Sequence, residues 1–171
     1  MKKYLKKCFR HISFIILNIL IFTENATAAT TNTTFQVTAT ILDACSVSAN
    51  PLNFGSYVYT ANSDQITTIN VTCTNGTTYK IGLDAGLAPG ATTSTRKMRG
   101  TPTTNILNYF LYSDFGRTTN WGNIVGTDTV AGTGNGTTQG VIVYGRIPSG
   151  QNTAFVDSTY TDTITVTLTF P

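Results

Sequence analysis

His11 is the only histidine in the 171-residue chain and Glu24 the only glutamate, and both fall within its first 28 residues. Acid–base chemistry beyond that point is left to tyrosines, two lysines and seven aspartates: Asp43, Asp64, Asp84, Asp114, Asp128, Asp157 and Asp162. No Ser-His-Asp triad, Cys-His pair or histidine-bound zinc can be built from that set. Two paired carboxylates can hydrolyse a glycoside. Each of these aspartates, however, stands at a strand end or in a loop, the usual place of a turn-forming Asp. None has the D-x-D-x-D-G spacing of a calcium loop. The expectation is a protein that is not an enzyme and that holds no cofactor or metal.

Cysteine and aromatic residues offer the remaining chemistry. Cys8 precedes an apolar run, which leaves Cys45 and Cys73 with one possible pairing in an oxidising compartment. Closing that loop stabilises a fold by roughly 3–4 kcal/mol in the chain-entropy model. Trp121, Tyr109, Phe110 and Tyr112 can be imagined as a sugar-stacking platform, but "NYFLYS" reads first as a strand with half of its aromatics in the core. "RKMRG" at 96–100 is the one basic cluster, and it reads as a solvated turn or an edge strand protected by charge.

Export is the first requirement of the elements around these residues. "MKKYLKKCFR", the 11-residue apolar run at 12–22 and the small residues "ATA" at 26–28 predict a signal peptide over residues 1–28. The run is short for a membrane span of about 20 residues. Removing it leaves 143 residues with six basic side chains against seven aspartates, a formal charge of −1. The basic balance of the whole chain therefore belongs to the signal, and nucleic acid is not expected as a partner.

Strand-like runs separated by turn residues fill the rest: "CSVSANPLNFG", "QITTINVTC", "TYKIGLD", "NILNYFLYS", "GVIVYGRI" and "YTDTITVTLTF". In the last, Ile164, Val166, Leu168 and Phe170 share one face and threonines the other, as a sheet with one wet face requires. The stretch 126–140 predicts a mobile surface connection. The reading is a single all-β domain, a two-sheet sandwich about one strand short of the seven of an immunoglobulin-like fold.

One further alternating segment precedes Cys45. Phe35, Val37, Ala39 and Ile41 face one way, with Gln36, Thr38 and Thr40 opposite. It can complete the sheet of its own molecule, giving a closed monomer, or that of another, giving a fibre. Patterning alone allows either.

"CSVSANPLNFGSY", "INVTCTNGTTYKIGLDAG", "YFLYSDFGRTTNWG", "VIVYGRIPSGQ" and "YTDTITVTLTF", in this order and with both cysteines in place, resemble the spore coat protein U domain family, which includes subunits of archaic chaperone–usher pili. The resemblance implies an incomplete immunoglobulin-like β-sandwich completed by a donated strand. It implies a structural pilus subunit serving surface attachment and biofilm formation, secreted through the periplasm to the cell surface. The implied partners are a periplasmic pilus chaperone, an outer-membrane usher and neighbouring subunits. Residues 29–42 become the donor extension, with Phe35, Val37, Ala39 and Ile41 as plugs, and 43–171 the receiving domain. Ile164, Val166, Leu168 and Phe170 would line the receiving groove, and a Cys45–Cys73 bond would mark where the anchored domain starts. Two alternatives stand beside this reading. One is a coat or surface protein assembled without an usher; the other is a carbohydrate-binding adhesive module using Tyr112, Phe115 and Trp121.

Overall fold

Alternation of Ile, Val, Leu and Tyr with threonine and other polar residues makes nine strands among the described residues of a computed structural model, which are 27–102, 104–157 and 159–171. The expected signal peptide lies, up to residue 26, outside them. The chain divides into an N-terminal unit that ends at Ala39 and a body, Thr40–Pro171. No strand is formed in residues 27–44, and Phe35 and Val37 are exposed there.

The body contains β1 (Cys45–Ala49), β2 (Ser63–Cys73), β3 (Thr78–Leu83), β4 (Arg96–Thr101), β5 (Ile106–Tyr112), β6 (Val130–Thr133), β7 (Thr138–Ile147), β8 (Thr159–Thr161) and β9 (Val166–Thr169). They form a six-stranded sheet in the order β1-β2-β7-β5-β4-β8 and a three-stranded sheet in the order β6-β3-β9, every ladder antiparallel. Ile69 and Val71 of β2, Leu107, Tyr109 and Leu111 of β5, and Val143 and Ile147 of β7 turn inward from the large sheet. They meet Tyr79, Ile81 and Leu83 from β3. Threonines take the wet side, as at Thr72 and Thr138, whose hydroxyls hydrogen-bond across the ladder at 2.8 Å. Gly145 supplies close approach: a Cβ there would meet Leu52 at 2.6 Å and Phe54 at 2.8 Å, so glycine lets those two side chains lie flat on β7.

Several sequence expectations are corrected. "RKMRG" is neither a turn nor an edge strand; it opens β4, paired on one side with β5 and on the other with β8. Arg96 points inward and is fully buried. The expected surface connection at 126–140 instead contains β6 and the first residues of β7, because Tyr79–Ile81 of β3 supply it with a ladder partner. The C-terminal run is not one strand but two in different sheets. It breaks at Asp162, whose carboxylate accepts hydrogen bonds from the amides of Leu87 and Thr163 and from the Tyr109 hydroxyl. Those bonds replace ladder pairing and pass the chain from β8 to β9.

Candidate functional site

Two strand edges face the interior without cover. β1 closes one end of the large sheet and β9 one end of the small sheet. Cα atoms of the two strands come within 8 Å, yet no ladder joins them. The consequence shows in a single register pair. Val47 of β1 lies opposite Val71 of β2 on the same inward face, but Val71 is 0% exposed and Val47 37%. The roof that covers β2 stops short of β1. On β9 the inward Val166 and Leu168 are half-buried against the core, while Thr167 and Thr169 are exposed.

A cavity of about 430 Å³ opens between these edges, with Ala49 on the β1 side, Ile164 and Val166 on the other, and Ile69, Leu83 and Tyr109 beneath. Its lining is more apolar than polar, with Asn50, Thr67 and Asp162 among the polar residues. Tyr109 is held protonated, its pKa raised by burial and by the hydrogen bond that its hydroxyl donates to Asp162 at 2.7 Å. This surface can accept apolar side chains, and the free strand edges can accept a backbone.

Asp84 pins the start of the β9 wall. Its carboxylate accepts hydrogen bonds from the Thr165 amide at 2.9 Å and the Gly86 amide at 3.0 Å. Burial works to raise its pKa, but these bonds outweigh burial and hold it below the ordinary carboxylate value. Beneath, Arg96 donates to the carbonyls of Asp84, Thr93, Leu83 and Trp121 at 2.7–2.9 Å. Burial lowers its pKa, opposed by surrounding aspartates.

Of the residues expected in the acceptor wall, Ile164 and Val166 line the cavity, and Leu168 packs against the same core. Ile164 does so from the link between β8 and β9 rather than from a strand. Phe170 is elsewhere, 39% exposed in a separate cleft with Tyr79, Val125 and Gly132. On the β1 side Ala49 lines the cavity, a residue the sequence reading does not single out, although the alternation of "CSVSA" carries the signal. Cys45 and Cys73 are bonded, tying the first residue of β1 to the last of β2. The four expected plugs are exposed, Phe35 at 86% and Ile41 at 84%. The alternative of a platform made by Tyr112, Phe115 and Trp121 is not assembled. Trp121 is fully buried and its indole N–H donates to the Ile81 carbonyl at 2.8 Å, whereas Phe115 is exposed.

Comparison with known proteins follows the same outline. The family model described as Spore Coat Protein U domain matches residues 31–167, which takes in the exposed segment as well as the body. Protein U of Myxococcus xanthus is 38% identical in a match covering 85% of this chain and 88% of that protein. Among solved structures, a chain in the chaperone–tip adhesion subunit pre-assembly complex from archaic chaperone–usher Csu pili of Acinetobacter baumannii superposes with a TM-score of 0.57 at 22% identity. That match covers 75% of this chain and 40% of the other, so this chain spans less than half of it. A chaperone–usher pilus structure gives a TM-score of 0.49 at 14% identity. The architecture is an all-β, incomplete immunoglobulin-like sandwich.

Proposed function

This chain belongs to the Spore Coat Protein U domain family, and we propose that it is a structural pilus subunit built into a polymer by donor-strand exchange. One observation carries the reading: a groove between two strand edges and an exposed segment of alternating apolar and polar residues coexist in one chain. Residues 35–41 are long enough to run beside residues 164–168 and the β9 edge. Seven residues extend about 20 Å. Phe35, Val37, Ala39 and Ile41 enter the groove as plugs, with the small Ala39 at a shallow place, while the donor backbone pairs with the edge of β9. Each large plug contributes about 1.5–3 kcal/mol on burial.

The approach to β1 favours a neighbour's groove over the chain's own. The Leu42 and Ala44 carbonyls accept hydrogen bonds from Thr74, and Asp43 accepts one from the Thr77 hydroxyl. These bonds hold residues 42–44 against the turn that follows β2. Donating 35–41 to a neighbour leaves them intact.

In this reading a periplasmic chaperone lends a strand to each new subunit. An outer-membrane usher then exchanges that strand for the extension of the next subunit. The product is a surface pilus for attachment and biofilm formation. Kinship with Protein U supports a second reading, a coat protein assembled without an usher.

Purified full chain should form multimers that resist SDS without heating. A variant lacking residues 29–41 should fold with chaperone present yet form no multimers, and Val37→Asp should behave likewise. A full chain that stays a clean monomer, together with a deletion variant that no longer folds, would place the segment in its own sheet and end the proposal. Multimers formed equally well with no chaperone or usher in the cell select the coat-protein reading.

A further inference from the structure

The outer face of the six-stranded sheet carries charge and rings in a pattern that strand donation does not use. Six basic residues lie beyond residue 28. Arg96 is buried, and Lys80 belongs to the small sheet. The other four gather on one face. Lys97 and Arg99 alternate with the inward Arg96 and Met98 of β4. Arg146 stands outward on β7 opposite Phe110 of β5, and Arg117 reaches over the Tyr144 ring, 5.7 Å from its centroid. Against them stand Asp64 on the sheet and Asp114 in the adjoining loop, and Asp157 packs against Gly100 of β4, next to Arg99. A chain with a formal charge of −1 beyond residue 28 thus concentrates its cations on one side.

Rings run through the same face. Tyr112 and Tyr144 are ladder partners, Phe110 and Tyr112 stack at 6.2 Å, and Phe115, 80% exposed, meets Tyr144 edge-on at 6.1 Å. Asp64 sits among them as an acceptor, bound by Arg146 at 2.7 Å and approached by Arg117 at 3.5 Å. Lys97 and Arg99 form no ion pair among the described residues.

We infer that this face binds an anionic polysaccharide, a chain of uronic acid or similarly charged sugars, held by Lys97, Arg99 and Arg146 and stacked on the exposed ring of Phe115, while Arg117, its side chain 11% exposed and donating to the Gly145 and Phe115 carbonyls, braces the Phe115 loop against Tyr144. Sugar rings present C–H faces to aromatic side chains, and their hydroxyls supply donors for Asp64. Nucleic acid fits less well. It is held chiefly through its phosphates, where this face offers three accessible cations, one of them already paired with a carboxylate. The surface is distinct from the groove, so both can be occupied in one subunit.

The test measures retention of the full chain by polygalacturonate, neutral dextran and a 20-nucleotide DNA duplex across a range of salt. Polygalacturonate should bind, weaken with salt and outcompete both others. Lys97→Gln combined with Arg99→Gln should weaken it at least tenfold and flatten its salt dependence. Phe115→Ala should weaken it severalfold with the salt dependence unchanged. These side chains are surface groups, and an unchanged thermal midpoint verifies each variant. Absence of binding, equal binding by the double variant, or equal retention on dextran would each overturn the inference. Tighter binding of the DNA through the same residues would overturn the assignment to sugar.

Discussion

Arg96 shows how far one side chain departs from what its type suggests. A guanidinium in the only basic cluster is ordinarily a solvated surface group, yet here it is sealed inside with four carbonyl oxygens around it. Those carbonyls belong to the end of β3, the turn before β4 and the strand-less segment at Trp121, three pieces with no ladder among themselves at that point. The planar fork of arginine reaches all of them, which a lysine ammonium does not. Replacing Arg96 with Met keeps much of the volume and removes the donor from four acceptors, two of them in buried bonds. It should cost about 3–5 kcal/mol in urea unfolding, and Arg96→Lys should recover only part. A loss under about 0.5 kcal/mol, the range typical of surface substitutions, would show that the clamp holds nothing together.

At the scale of elements, β9 depends on a contact made before it begins. The Asp84 carboxylate holds the Thr165 amide, so its protonation loosens the wall of the groove. Because its folded pKa lies below the ordinary 3.8, Asp84 adds stability above that value and loses it as pH falls through the lower, folded one. Asp64 is displaced in the same direction, chiefly by its hydrogen bond from Arg146. With no histidine beyond His11, unfolding free energy should stay flat between about pH 5 and 8 and fall below about pH 4. Urea titrations across that range check the profile, and Asp84→Asn should make the acid slope shallower. An identical slope would remove Asp84 as its source. The same elements show what was legible in the sequence. Long period-two runs gave β2, β3, β5 and β7, because alternation over six or more residues is decided locally. Two strands were not legible. β6 and β4 exist through partners distant in the chain, and the break at Asp162 depends on Tyr109 and Leu87, which no local pattern exposes. Of the cavity lining, Ile164 and Val166 stand out in the sequence by alternation, while Ala49 on β1 does not, because its place there depends on the register with β2.

Over the whole molecule, an incomplete sandwich must be weaker alone than when its groove is filled. A domain's net stability is commonly 5–15 kcal/mol, and a missing strand withholds several apolar side chains and a row of ladder hydrogen bonds. A segment that binds only the folded form stabilises it by mass action, about 2.7 kcal/mol at a hundredfold excess over its Kd. For a body of this size each kcal/mol corresponds to roughly 3–4 °C in the melting midpoint, so the shift should be about 8–10 °C. The proposed donor can be supplied separately. A synthetic peptide of residues 33–43, added to the variant lacking residues 29–41, should raise the midpoint by that amount in a concentration-dependent way. The same peptide with Asp at position 37 places a charge where an apolar plug belongs and should produce no shift. Lengthening the peptide beyond residue 43 should add little, since Asp43 already belongs to the anchored part through Thr77. Equal shifts from both peptides would mean that the plugs do not enter the groove. No shift from either would mean that the space between β1 and β9 is not a receptor for this strand.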